Sequence, residues 1–223
     1  FMMAIGPKLK WIKSDMLIKK RLIVLFLISF LLSLLLVIKL NKDILINSIL
    51  LTFAFYLFFI SLRDFFIKKK LSLPQNFAHF GFSLLILSIL FNNILSKEII
   101  TNLKVGEIYK SEKFEINFEN IGQVEKKNFK EIIGKFIIKD SEDNTEILNP
   151  GLRIYNQPNI ITSEADIKVN LFEDKFMTMN YVPNQDYFNI RYQIKPFMIW
   201  IWFSVLLITF GGIMSVFKKR YEN

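Results

Sequence analysis

Four stretches of this chain are apolar almost without interruption, and a longer stretch between the third and fourth alternates instead. Leu22 to Ile38 holds only apolar residues and two serines, and Ile44 to Ile60 is broken by Asn47, Ser48 and Thr52. Leu73 to Leu95 and Phe197 to Phe217 complete the set; the four runs have 17 to 23 residues and contain no carboxylate, lysine or arginine. A helix rises about 1.5 Å per residue, so about 20 residues cover a hydrocarbon core of roughly 30 Å. The pattern predicts four transmembrane helices, because a chain of 223 residues is too small to bury four such segments in a soluble core.

Residues 1–96 are expected to form a membrane region, with helices at about 22–38, 44–60 and 73–95. Residues 196–223 then supply the last helix and a basic tail. Phe1 to Ile5 is apolar and runs into Gly6-Pro7 without a basic leader or a small-residue cleavage site, so it reads as the end of a preceding helix rather than a signal peptide. The protein is expected to extend upstream.

Between the third and fourth runs, over 97–195, the pattern changes to short alternating or β-rich runs broken by turn residues. Phe114 to Phe118, Ile132 to Lys139, Ile167 to Leu171, Phe176 to Val182 and Phe188 to Ile194 read as strands. Turn signals separate them at Asp140 to Asn144, Asn149-Pro150-Gly151 and Pro183-Asn184. This alternation predicts an antiparallel sandwich or barrel inserted between membrane helices. It contains no His or Cys, and so no ordinary transition-metal site.

The net charge of +9 changes the picture only through its distribution. Residues 97–195 carry 14 basic and 16 acidic side chains, leaving 15 basic and 4 acidic for the membrane region. The excess gathers at three places: Lys8 to Arg21, then Arg63 with Lys68 to Lys70, then Lys218 to Arg220. Basic residues beside spans stay on the cytoplasmic side. The four runs then alternate consistently, with 97–195 outside. Contact with anionic membrane lipid accounts for these charges, and a nucleic-acid partner is not expected. Trp200 and Trp202, at the outer start of the last run, suit an interfacial belt, with a wall for a flat cofactor as the alternative. Gly211-Gly212, deeper in that run, lets another helix approach closely.

The single histidine, His79, lies about five residues beyond Pro74 in the third run, roughly 7–8 Å from its boundary. Ionisable residues at membrane depth generally face a bundle interior with a partner. A neutral ring there keeps a lone pair that can bind iron axially. Ala78 and Gly81 remove bulk beside it, and the neighbouring phenylalanines can pack against a porphyrin. On local features three roles remain open: a structural histidine, a haem or metal ligand, or a proton relay. Met214, at comparable depth in the fourth run, is the one candidate second ligand within the chain.

The order of motifs resembles a known family. Ile5-Gly6-Pro7 with Trp11, Ala78-His79-Phe80-Gly81, Thr162 to Ile167 leading to Leu171-Phe172 and Asp174, Lys195-Pro196-Phe197 with Trp200-Ile201-Trp202, Gly211-Gly212 and Lys218 to Tyr221 follow in sequence. This set is similar to the C-terminal part of the cytochrome c maturation haem lyase subunits, the CcmF, CycK and NrfE group. The resemblance implies a protein that takes haem from a periplasmic haem chaperone. It would attach that haem to an exported apocytochrome c delivered by thioreductive and presenting subunits. It also implies a membrane b-type haem (haem b) held by two histidines, one of which matches His79, and makes Met214 an unneeded ligand. The second histidine belongs to upstream sequence, in the same protein or in a split subunit. Localisation in a bacterial inner membrane or a mitochondrial inner membrane follows, and this stretch alone is expected to be inactive as a haem lyase. The competing reading is a non-catalytic membrane scaffold whose outer β domain docks assembly partners. A transporter would show a broken helix or a midplane acid, and neither is visible.

Overall fold

The computed structural model describes residues 16–40, 43–66, 72–111, 114–140 and 144–221. Ile5-Gly6-Pro7, Trp11, Lys8, Lys10, Lys13, Lys42, Lys68 to Lys70 and the middle of the 140–144 turn lie outside them. The chain divides into two compact units, one of the helices and one comprising Leu95–Pro196.

The helices are α1 (Met16–Lys39), α2 (Ile44–Phe66), α3 (Leu73–Leu95) and α4 (Met198–Tyr221). Among the described residues these four are long and apolar enough to cross a membrane. All but α3 extend past the apolar runs into charged sequence, since a helix needs no apolar side chains once it leaves lipid. At the start of α3 the Ser72 backbone N–H donates to the Gln75 side-chain oxygen at 3.1 Å, half of a capping box, and Pro74 follows in the first turn.

Helices α1 and α2 form an antiparallel pair whose register is set by side chains along its length. Leu22 packs with Tyr56, Leu57 and Ile60 at one end, and Val37 with Leu51 at the other. Phe26 meets Tyr56 edge-on at 5.6 Å. About one turn in from the second end, the hydroxyls of Ser33 and Thr52 share a buried hydrogen bond of 2.6 Å, while each lies close to a carbonyl of its own helix. Without a hydrophobic drive between helices in lipid, such packing and polar contacts hold them together.

The second unit is a β-sandwich, as the alternation predicts. A four-stranded sheet has the order β1-β10-β9-β8, formed by Lys97–Leu103, Phe188–Pro196, Glu173–Tyr181 and Asp166–Val169. The other sheet runs β2-β3-β4-β6-β7, from Ile108–Lys110, Phe114–Glu125, Phe129–Asp140, Gly151–Tyr155 and Ile161–Glu164; β5 (Thr145–Leu148) also pairs with β4. Every pairing is antiparallel. Leu103, Ile116, Phe118, Phe136, Ile138, Met177, Met179 and Ile190 fill the space between the sheets. Phe118 and Phe136, opposed across β3 and β4, stack at 4.2 Å. Lys97 at the start of β1 pairs with Ile194 near the end of β10, so the two ends of the unit are neighbours. That closure is what a domain inserted between two helices requires.

The outer faces carry ion pairs. Arg153 on β6 reaches Glu131 on β4 at 2.9 Å and Glu164 on β7 at 3.1 Å, and lies over the Phe129 ring. Glu98 on β1 accepts from Arg191 and Gln193 on β10. Lys104 pairs with Asp186 at 2.6 Å.

Candidate functional site

Helix α3 presents different residues to its neighbours, and this divides the surroundings of His79. A Cβ on Gly81 would stand 2.9 Å from the Ile208 side chain and 3.0 Å from its backbone nitrogen. A Cβ on Gly211 would stand 2.7 Å from both the Ala78 nitrogen and the Pro74 carbonyl oxygen. Helices α3 and α4 therefore cross backbone to backbone through Ala78, Gly81 and Gly211. Phe77 bridges two neighbours, meeting Phe210 of α4 at 5.1 Å and Phe65 of α2 at 5.2 Å. Phe80 lies against Phe58 and Phe65 of α2 at 5.8 and 5.6 Å.

His79 is the next residue after Ala78 and so sits about 100° around the helix from it. It is half-buried, outside the closest part of the α3–α4 contact. Ala78 and Gly81 were expected to open space beside the histidine for a flat ligand; α4 fills that space instead. Phe77 and Phe80, two of the neighbouring phenylalanines, make ring contacts with α2 and α4. Gly212 approaches nothing within 4 Å, so of the glycine pair only Gly211 serves the crossing.

The same contacts place Met214. The two helices run antiparallel, with Gly81 at the level of Ile208 and Ala78 at the level of Gly211. Met214 is three residues past Gly211, about 4.5 Å farther along α4 and away from the level of His79. The depth expected for it from sequence is off by roughly a turn, because the glycine crossing and not the run boundaries sets the register. The chain has no other histidine. Among the described residues no group of three or more His, Cys, Asp or Glu side chains could hold a metal ion.

In the sandwich a partly buried polar cluster lies where β5, β9 and β10 carry Glu146, Lys175 and Tyr192. Lys175 donates to Glu146 at 2.9 Å and lies 3.6 Å from Glu173. Burial works against its ammonium, but the two carboxylates outweigh it and raise its pKa. The Tyr192 hydroxyl is buried without a hydrogen-bond partner, and burial, reinforced by the nearby acids, pushes its pKa far above the usual range. A pocket of ≈ 10 Å³ beside it has room for about one water. This arrangement is structural, since nothing larger than a water fits.

Comparison with known proteins agrees with this architecture. A family model described as the CcmF C-terminal β-sandwich matches residues 94–196. The cytochrome c-type biogenesis protein CcmF of Escherichia coli K12 is 23% identical over an alignment covering 100% of this chain and 36% of that protein. CcmF of Pseudomonas fluorescens is 26% identical over 145 residues, covering 65% of this chain and 22% of that protein. The solved structure of the cytochrome c heme lyase CcmF superposes with a TM-score of 0.71 at 16% identity, over 95% of this chain and 37% of the other. Residues 94–196 match the CcmF C-terminal β-sandwich family, and the chain as a whole is similar to the C-terminal part of CcmF proteins. It is an integral membrane protein of helices with an inserted β-sandwich, and it spans 22% to 36% of the length of these two relatives.

Proposed function

We propose that this chain is the C-terminal portion of a haem lyase system of cytochrome c biogenesis, with His79 as one axial ligand of a membrane b-type haem. The observation that carries the reading is the placement of His79. It is the single histidine of the sequence, on the third apolar helix, half-buried beside the α3–α4 crossing of a CcmF-like chain. The donor chemistry fits, because a neutral imidazole is a haem ligand and the ring lies outside the glycine contact. The second axial ligand comes from upstream sequence or a split subunit, since Met214 lies at another level. Bound haem would supply a one-electron couple; the chain's own contribution is to hold the ring nitrogen at a fixed depth through the rigid crossing of Ala78, Gly81 and Gly211.

In this reading the sandwich lies on the outer, periplasmic side, which the basic residues at the opposite helix ends support. There it would work beside the haem chaperone, the apocytochrome c and its thioreductive subunits. Exposed Ile167, Val169, Leu171 and Phe172 along and after edge strand β8 give it an apolar surface suited to docking. That surface equally favours the second reading, a scaffold in which His79 only packs.

The two readings separate in the absorbance spectrum of this chain co-expressed with its upstream portion. A reducible b-type Soret band lost in His79→Ala, with the protein still inserted, supports ligation. An unchanged band in that variant removes His79 from any haem site.

A further inference from the structure

At one end of the α1–α2 pair, three cations surround an open cleft of about 450 Å³. Lys20 and Arg21 line it from the first part of α1, and Arg63 from the last turn of α2. Its floor is Val24 and Leu25, one turn along α1 from the two cations. The register of the hairpin makes this meeting unavoidable: with Leu22 packed on Tyr56, Leu57 and Ile60, the residue before Leu22 lies beside the one a turn past Ile60. Among the described residues none of the three cations forms an ion pair. Asp64, next to Arg63, is the one acid nearby on α2, and it does not line the cleft. The helices thus gather three positive charges at the edge of the apolar span.

We infer that this cleft is a discrete site for one anionic phospholipid, its phosphate held by Lys20, Arg21 and Arg63 and its upper acyl chain lying on Val24 and Leu25. Two features favour a lipid over a soluble anion. The floor is aliphatic and continues into the exposed apolar face of α1 at Ile28 and Leu31, where an acyl chain can follow. The cations also stand at the boundary of a membrane span, the depth of a headgroup. The volume falls within the range of ligand clefts, roughly 300–1,000 Å³. Two guanidinium groups can each give paired donors to phosphate oxygens, which a lysine-only patch cannot do. The site would be filled selectively, unlike the general attraction of basic loops to an anionic leaflet.

The test uses the complete protein in nanodiscs of phosphatidylcholine doped with phosphatidylglycerol, with bound lipid counted by native mass spectrometry. One phosphatidylglycerol should survive activation that strips phosphatidylcholine. The double variant Arg21→Gln, Arg63→Gln should weaken that retention about 25-fold, at roughly fivefold per basic residue, and Arg21→Lys, Arg63→Lys should recover part of it. Haem absorbance should be unchanged in both, which also separates this inference from the role of His79. Equal retention of the two lipids, or retention indifferent to the glutamine pair, would overturn the assignment. So would loss of the haem band together with the lipid, which would give these cations to the haem carboxylates.

Discussion

Gly211 lies so close to Ala78 that a Cβ on the glycine would stand 2.7 Å from the Ala78 backbone nitrogen. The atoms in the way are main-chain, so no rotamer change can relieve the clash. Because Ala78 precedes His79, whatever displaces α4 there tilts the segment that carries the imidazole. Gly211→Leu is therefore expected to push α3 and α4 apart at a cost of about 1–3 kcal/mol, and to shift or broaden the Soret band of the assembled protein. Gly212→Leu, at a position that meets nothing within 4 Å, is the matched control and should leave the spectrum unchanged. Equal effects from both variants would detach the crossing from the haem site.

Much of this architecture is legible in the amino-acid sequence. The four apolar runs gave the helices, because length and the exclusion of charge are set by the bilayer and not by neighbours. The strands at Phe114, Ile132, Phe176 and Phe188 were legible because they face the sandwich core on alternate residues. β2, β5, β6 and β7 were not, having only three to five residues, and in β1 the exposed Ile100 and the half-buried Thr101 break the apolar–polar alternation. The sequence pointed to small residues near His79 but could not say which surface would use them. Gly81 and Gly211 complement each other across two helices 130 residues apart, a pairing that no local pattern contains. The cationic cleft was hidden for the same reason, since Arg63 joins Lys20 and Arg21 only once the hairpin register is fixed.

Gly134 on β4 is expected to be nearly irreplaceable in the sandwich. A Cβ there would meet the Phe136 ring at 2.7 Å, the Met179 sulfur at 3.0 Å and the Phe118 ring at 3.2 Å. The glycine leaves the space in which Phe118 and Phe136 stack. Gly134→Ala should cost about 1–3 kcal/mol by overpacking, read as a lower urea midpoint for residues 95–196. Gly122→Ala, whose nearest neighbour is 3.9 Å away, should be close to neutral.

Two carboxylates of the sandwich give opposite pH dependences. Hydrogen bonds from Gln193 and Arg191 hold the Glu98 carboxyl below its usual range. The folded state binds that proton less readily than the unfolded chain, so its stabilisation is complete above about pH 4.3 and lost as the pH falls through the lower folded value. Burial pushes Asp174 the other way, against a hydrogen bond from the Asn170 N–H. Its contribution is complete below about pH 3.9 and lost as the pH rises through the folded value. Thermal melts of residues 95–196 from neutral to acid pH should therefore show a shallower acid decline in Glu98→Gln. Asp174→Asn, which keeps an acceptor for Asn170, should raise the Tm at neutral pH.

Lys175 and Tyr192 line the same pocket but should respond in opposite ways to losing their polar atoms. The Lys175 side chain is 14% exposed and neutralises Glu146, itself 25% exposed. Lys175→Met would strand that carboxylate beside Glu173. Removing one partner of a fully buried pair costs roughly 3–5 kcal/mol, and with Glu146 partly in water about 2 kcal/mol is expected. The Tyr192 hydroxyl makes no hydrogen bond, so Tyr192→Phe removes a desolvated oxygen while keeping the ring that meets Phe114 edge-on at 5.9 Å. Its stability should change by less than about 1 kcal/mol, towards greater stability. Chemical denaturation of the two variants side by side checks both. A large loss in Tyr192→Phe would mean that a water in the adjoining pocket ties the hydroxyl to Glu146, and that the lysine is only one part of a larger network.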